Sequence, residues 1–510
     1  MGKIVDKAEF REKVRPNLKR DKKTIALCHG VFDLVHPGHI IHLQQAKAMA
    51  DILVVSVTAA EFVRKGPGRP YFNDEMRLKV LAALECTDYV MLSEGYTVDD
   101  IVESVEPDLY IKGEEYARES DDVTGKITAE RELVEQHGGK VAYTTGQVFS
   151  STKLINTGLA GLPDDVVKYM GRFITKYSMT DVKEYAQKAE KLKVLVIGDV
   201  IIDKYTYCDV QGLMSKDTGY SSRLDYSEDY LGGAVAVARH LSSFTENVTL
   251  MSIVGSEEDI RLKFLDETAD KMRLKLTYNT SFPTIIKHRY LTRNARREEY
   301  RKIFSVNNIP DPAVYGHEAR EEFYRGLAER IEEFDVVFLC DFGHGLVDER
   351  VKALVQEKAK FLVLNCQTNS TNYGLNVITK YSRADVFTLD QKELKLAYPI
   401  EAADERTALA KLSAHLGCSG WLTRGSDGAY GIEKEQIHAC PAFTLTVKDT
   451  VGAGDAFYSI AGLYAAAGAP AELGTFVGNI AGALGANIVG NKEAVEKVNV
   501  LKYAGTLLNI

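Results

Sequence analysis

The chain has 510 residues, too many for one hydrophobic core, so two large domains are expected. The composition, 45% apolar and 26% charged with 40 Gly and 12 Pro, excludes a disordered or fibrous protein. A net charge of −9 argues against a basic face for nucleic acid, so any phosphate-binding site has to be local.

The opening stretch MGKIVDKAEFREKVRPNLKRDKK has no apolar run of signal-peptide length, and Asp6 stands where a myristoylation signal has Ser or Thr. A cytoplasmic protein without membrane attachment is expected. Short β-branched runs then alternate with amphipathic stretches, the α/β pattern of strands joined by crossover helices. TIALCHG (24–30), a helix from about Gly38 to Met49 and DILVVSV (51–57) make a βαβ unit. DYVMLS (88–93), DLYIKG (108–113) and KVAYTT (140–145) continue the strands, with helices in MRLKVLAALE and TVDDIVESV. These elements predict a doubly wound, Rossmann-like domain over 1–160. The charged segment 161–190 has helical period and no strand, and reads as a connector. KVLVIGDVIID (193–203) restarts the strands, followed by NVTLMSIVG, DVVFLCDFG, KFLVLNCQT, ADVFTLD and GWLTRG, giving a second α/β domain over 191–510. The Ala- and Gly-rich stretch 459–490 is interrupted by Glu472 and Asn479 and reads as buried helices, not a membrane span. Cys28, Cys86, Cys208, Cys340, Cys366, Cys418 and Cys440 show no CxxC spacing, which predicts reduced thiols and no zinc site.

Two stretches carry chemistry. HPGH (36–39) follows a strand and opens a helix, so two imidazoles three residues apart share a face of the first turn beside free backbone N–H groups. That geometry suits an anion. Taken alone, the motif is equally explained by chance surface placement, while zinc lacks a third ligand at helical or hairpin spacing. The neighbouring residues carry a resemblance. GVFDLVHPGH with Lys47 eight residues past His39, KGPGRPYFNDEMRLKVLAALE (65–85), PDLYIKGEEY (107–116) and SSTKLIN (150–156) resemble the HxGH nucleotidyltransferases. That superfamily includes cytidylyltransferases and the adenylyltransferase half of the bifunctional ADP-heptose synthesis enzymes, and the resemblance covers nearly all of 24–156. It implies attack of a sugar-phosphate oxygen on the α-phosphate of a nucleoside triphosphate, with Mg²⁺ present and pyrophosphate released. It assigns His36 and His39 to hold the triphosphate, Lys47 and Lys112 to neutralise it, and Gly30, Phe32, Ser151 and Thr152 to the nucleotide. YTTGQVFSST lacks the Arg that cytidylyltransferases carry before their Ser-Thr-Thr segment, which, with the GPGRP loop (66–70), favours ATP over CTP. Thr58 and Ala59 stand where the heptose enzymes have Asn-Asp, so the sugar-phosphate side has diverged.

DTVGAGDAF (449–457) places Gly452 and Gly454 before an aspartate at a strand-to-helix transition, where close-lying amides make an anion hole and Asp455 is positioned to take a proton from a hydroxyl. A plain Gly-rich helix cap reads the same way in isolation. GDVIID (198–203), LGGAVAVA (231–238), TRGSDG (423–428), PTIIKHRYLTRN (283–294) and CDFGHG (340–345) extend the match, and together these segments resemble the ribokinase-like sugar kinases over about 193–495. The resemblance implies Asp455 as base, Gly452, Ala453 and Gly454 as anion hole, Asp203, Gly233 and Arg289 against the sugar, Thr423, Gly425 and Gly428 at the nucleotide, and Glu393 organising Mg²⁺. No GxxxxGK[ST] occurs, so a P-loop is excluded. Several positions depart from the pattern: Ala236 replaces the Asn after the glycine pair, NCQTNS (365–370) an Asp-Pro-Lys-Gly turn, Asp390 the Asn before Glu393, and SKDTGYSS (215–222) an apolar segment. An altered sugar with retained catalysis is the expectation.

Together the two resemblances imply a bifunctional enzyme that phosphorylates a sugar or sugar phosphate and joins a phosphate of the product to a nucleotide, in an ADP-heptose-like reaction pair with the domain order reversed. Its partners would be the sugar substrate, nucleoside triphosphate and a second copy in a homodimer, without nucleic acid or membrane. Two alternatives stand beside it: CTP with another sugar or polyol phosphate, and a half that has become a non-catalytic binding or oligomerisation module. The intact Asp455 motif argues against the last.

Overall fold

The structure, a computed structural model, describes residues 2–63, 70–95, 97–113, 126–144, 163–257, 272–294, 299–309, 316–369, 372–400, 404–443 and 447–509. The chain divides into two compact units, Met1–Ile174 with Leu501–Ile510, and Thr175–Val500.

In the first unit, strands β1 (Lys3–Ile4), β2 (Ile25–Gly30), β3 (Ile52–Thr58), β4 (Tyr89–Ser93), β5 (Leu109–Gly113) and β6 (Lys140–Thr144) form a parallel sheet in the order β1-β4-β3-β2-β5-β6. The near-continuous apolar runs are what a parallel sheet covered on both faces requires. Successive residues feed opposite cores: Ile25, Leu27 and Val54 pack with Phe10, Ile101 and Val105, whereas Ala26, Cys28, Leu53 and Val55 pack with Leu43, Ala46 and Leu81. β2 has β3 on one side and β5 on the other, so strand order reverses there and its carboxyl end opens a crevice. The helix Pro37–Ala48 follows directly.

In the second unit, β7 (Val194–Gly198), β10 (Val248–Gly255), β11 (Arg273–Asn279), β14 (Val336–Asp341), β15 (Leu362–Cys366), β16 (Val386–Asp390), β17 (Ser419–Thr423), β18 (Ala429–Glu433) and β19 (Gln436–Cys440) form a nine-stranded sheet, β11-β10-β7-β14-β15-β16-β17-β18-β19. It is parallel as far as β17 and antiparallel at the last two strands. Ala453–Ala466 and Ala471–Gly485 are buried helices, as expected for the Ala- and Gly-rich stretch. Among the described residues, no helix is long and apolar enough to cross a membrane.

A second sheet departs from the sequence reading. β8 (Val200–Leu213), β9 (Tyr220–Gly233), β12 (Ile285–Asn294) and β13 (Glu299–Asn308) pair in the order β13-β12-β8-β9. The run 193–203, read as one strand, divides at Asp199 between the two sheets, and 215–222 falls at the tip of the β8–β9 hairpin. The stretch 161–190 holds two helices, Asp164–Phe173 in the first unit and Met179–Ala189 in the second, the latter started by a Ser178–Asp181 capping box.

Candidate active sites

In the first unit the crevice beyond β2 is lined by the predicted turn. His36 is the N-cap of the helix Pro37–Ala48, and its Nδ1 accepts from Gly38 N at 3.1 Å. That bond fixes the tautomer: Nδ1 is the acceptor, so the neutral ring carries its proton on Nε2. Burial holds the imidazole below its ordinary pKa, which favours this neutral form. The His36 and His39 rings lie 4.0 Å apart between centroids, and Phe32 meets His39 edge-on at 5.4 Å. Gly30 ends β2, and Phe32, at φ 45°, turns the chain back toward the helix. Gly30, Phe32, His36 and His39 are therefore brought together at the switch point, beside a helix N-terminus suited to phosphate.

The other predicted residues of this unit fare differently. Lys47 is eight residues beyond His39, about 12 Å along the helix at 1.5 Å per residue. Its Nζ reaches the Asp88 carboxylate at 2.6 Å and the Asp51 carbonyl, both just before the amino ends of β4 and β3. The structure places Lys47 at the opposite edge of the sheet from the turn. Lys112, near the carboxyl end of β5, is on the correct edge, with its Nζ paired to Glu130 at 2.8 Å. Ser151 and Thr152 lie outside the described residues.

Two residues that the sequence reading passed over complete this site. Arg77, fully buried in the helix Asp74–Ala82, donates from Nη1 to Val31 O at 2.7 Å and Thr58 O at 2.8 Å, while Nη2 meets Asp74. It pins the loop before HPGH to the end of β3. The signal was present: Arg77 precedes core residue Leu81 by four positions, on the same helix face. His42, one turn beyond His39, pairs Nδ1 with Thr144 Oγ1 at 2.7 Å, and burial followed by the Lys112 charge lowers its pKa.

In the second unit, Gly452 caps the helix Ala453–Ala466, and Asp455 lies in its first turn. Gly452 has φ 85°, and a Cβ there would run into Asn491 Oδ1, so the position excludes side chains twice over. A Cβ at Gly454 would meet nothing within 4 Å, so the space beside that residue is open. Gln367 Nε2 donates to Asp455 Oδ1 at 2.9 Å. Desolvation raises the Asp455 pKa to about 6, against the Gln367 hydrogen bond, with Asp203 raising it further and Lys287 lowering it. A base of that pKa is ionised at neutral pH.

Asp203 on β8 pairs with Arg289 on β12, and a Cβ at Gly232 on β9 would run into the Asp203 carboxylate. Gly233 caps the following helix Ala234–Ser242. Lys287 is in register with Asp203, two residues before Arg289 on the same face of the four-stranded sheet. Desolvation lowers its pKa against the pull of Asp203, Asp199 and Asp455. Asp203, Arg289 and Asp455 thus share one neighbourhood, and Lys287 and Gln367 are the members that the sequence reading missed.

Thr423 ends β17, opposite Asp390 of β16, and Gly425 and Gly428 frame the turn into β18. Glu393 is held by backbone: Oε1 accepts from Thr368 N at 3.0 Å and Oε2 from Asp390 N at 2.9 Å, as half of a capping box. Burial, then the neighbouring Asp390 carboxylate, raises its pKa to about 8. Each oxygen accepts one backbone hydrogen bond and retains a second lone pair, so Glu393, once ionised, suits a Mg²⁺ ion reached through that ion's bound water rather than directly.

The cytidylyltransferase-like family model matches residues 27–157, and the pfkB family of carbohydrate kinases matches 191–494, more than half of the chain. Curated relatives include the bifunctional protein HldE of Syntrophotalea carbinolica, 37% identical over 140 residues (26% of this chain, 27% of that protein), and of Koribacter versatilis, 36% over 160 residues (31% of each). The matched stretch lies in the N-terminal part of this chain, which spans about a quarter to a third of the length of those relatives. Among solved structures, Escherichia coli phosphofructokinase-2 and Thermotoga maritima ribokinase each align at 15% identity and TM-score 0.48, over 62% of this chain and 99% of theirs.

Proposed function

The chain belongs to the pfkB family of carbohydrate kinases, and from that premise we propose that it is a bifunctional enzyme making a nucleotide-activated sugar. The second unit phosphorylates a sugar or sugar phosphate with ATP. The first transfers a nucleotidyl group to a phosphate of the product and releases pyrophosphate. Two features support the reading together: Asp455 directly after Gly454, which borders open space, and the His36–His39 pair at the switch point of a separate sheet. In the first reaction Asp455 takes the proton of the acceptor hydroxyl, the Gly452–Gly454 amides receive the transferring phosphoryl oxygens, and Asp203 and Arg289 hold sugar hydroxyls. Thr423, Gly425 and Gly428 border the nucleotide. Bound Mg²⁺, held by Glu393 through water, would neutralise charge on the triphosphate oxygens. In the second reaction His36 Nε2 and His39 grip the triphosphate while the sugar-phosphate oxygen attacks the α-phosphorus.

ATP serves both steps in this reading, and the ADP-heptose-like product follows from the resemblance of both halves to the ADP-heptose synthesis enzymes. CTP is the alternative that the cytidylyltransferase-like match favours for the first unit. We also propose a homodimer, because the outer face of the four-stranded sheet exposes Phe304, stacked on Tyr290, and Val306; light scattering with Phe304→Asp tests this. Function is tested by a panel of sugars and sugar phosphates with ATP and CTP, reading ADP and pyrophosphate. Asp455→Asn should abolish ADP formation and spare pyrophosphate release, and His39→Ala should do the reverse. A single substitution that stops both activities would refute independent sites, and no sugar-dependent ADP formation anywhere in the panel would refute the kinase.

A further inference from the structure

Gln367 stands on a fixed platform. Its backbone N–H donates to Asp341 O at 2.8 Å and its carbonyl accepts from Asn376 Nδ2 at 2.9 Å. Both partners belong to a buried polar hub at the end of β14. Asp341, 1% exposed, accepts from Tyr381 Oη and Lys380 Nζ, each at 2.6 Å, and from Gly343 N at 3.0 Å. Lys380 Nζ also donates to Asn376 Oδ1 at 2.6 Å. A residue whose flanking peptide units are both held by a buried network has little freedom to move, so the side chain leaves it in a set direction. That direction ends at Asp455 Oδ1.

We propose that Gln367 is a positioning residue for phosphoryl transfer: by occupying Oδ1 of Asp455 it reserves Oδ2 as the oxygen that takes the acceptor's proton and keeps it aimed at the acceptor hydroxyl. The inference rests on the kinase reading above. The acceptor O–H proton passes to Oδ2, the hydroxyl oxygen bonds to the γ-phosphorus, and the bond from that phosphorus to the β–γ bridging oxygen breaks, ADP leaving with the electron pair. The neutral amide steadies the carboxylate without adding a charge, so the base keeps enough basicity to accept a proton. A cation at this position would lower that basicity, and an apolar side chain would raise it and free the carboxyl to rotate. The other titratable groups in this environment are Asp203 on β8, Lys287 on β12, Cys340 on β14, Glu393 in the helix Gln391–Ala397 and Tyr458 one turn further along the base's own helix.

The test uses the full chain labelled with [4-¹³C]aspartate and titrated by NMR without substrate, the Asp455 signal being identified by its loss in Asp455→Asn. Gln367→Leu should move the Asp455 midpoint up by about one unit and Gln367→Lys should move it down by about as much. With an acceptor from the sugar panel, the acid limb of kcat should move the same way in each variant, and kcat should fall about tenfold in Gln367→Leu while the KM for ATP stays within twofold. If Gln367→Leu does not fold, as judged by circular dichroism, Gln367→Lys and Gln367→Asn carry the comparison. An unchanged Asp455 midpoint in the folded variants would overturn the proposal. Movement in opposite directions in a protein that phosphorylates nothing would support the effect of Gln367 on the carboxyl and count against the kinase reading alone.

Discussion

Replacing Arg77 by Leu tests whether the loop ahead of HPGH is held from outside. The guanidinium is fully buried and satisfies two backbone carbonyls, Val31 O and Thr58 O, that have to find new donors when it is gone. An orphaned buried acceptor costs about 1–3 kcal/mol. Asp74 is one-third exposed, so water takes over its solvation and its share is small. Two such acceptors come to about 2–6 kcal/mol, and the usual range for breaking a buried charged contact from one side, about 3–5 kcal/mol, falls within it. That is a large part of a typical domain's stability of about 5–15 kcal/mol. Hydrogen exchange is the direct assay. Amides of β2 and β3 should exchange roughly 10²- to 4 × 10³-fold faster, at about 1.4 kcal/mol per factor of ten, while those of β14 and β15 in the second unit keep their protection. Arg77→Lys, with one ammonium in place of the fork, should fall between. Pyrophosphate release should drop with the loop and ADP formation should not. Exchange in β2 within threefold of the parent protein would refute the clamp.

Lys47→Met should change nucleotidyl transfer by less than threefold, because the ammonium sits on Asp88; the loss should be about 1 kcal/mol in denaturant melts. Kinase activity should fall as pH drops through about 6, where Asp455 protonates, and a flat profile of kcat/KM from pH 5 to 8 would remove Asp455 as base. His36 has a folded pKa below its unfolded value, so its cap contributes above the ordinary imidazole range and is lost as pH falls through the lowered value; ¹⁵N signals of His36 should report Nδ1 unprotonated at pH 7. Gly452→Ala should lower phosphoryl transfer by at least 100-fold in a chain that still releases pyrophosphate, since the new Cβ displaces Asn491.

Strands β2 to β7, β10 and β14 to β17 were readable because they are short, β-branched and apolar on both faces, a pattern that polar loops interrupt cleanly, whereas β1, β11, β18 and β19 were not read as strands. The four-stranded sheet was not readable either. Its hairpin is half solvated, with Leu213 and Leu224 exposed at the tip, and neither an apolar run nor a turn dipeptide such as Asn-Gly marks it. The split at Asp199 was hidden because Val194–Gly198 and Val200–Asp203 are equally apolar on paper; only pairing partners distinguish them. His36, His39, Asp203 and Asp455 stood out because each lies in a local motif. Lys47 misled for the same reason, since nearness in sequence along a helix becomes distance in space. Gln367 and Lys287 have no local motif. They come from the residue just past β15 and from β12, brought to Asp455 from 88 and 168 residues away in the chain.

The last residues, Leu501–Ile510, belong with the first unit, so the first unit is not complete when its own strands have been made. Leu501, Tyr503, Ala504 and Leu507 are buried side chains supplied after the whole second unit. At about 5–20 residues per second, a ribosome needs tens of seconds between finishing Ile174 and delivering Leu501. During synthesis the later unit can therefore close before the earlier one, and an expression fragment ending at Ile174 would lack the segment Leu501–Ile510 that groups with it.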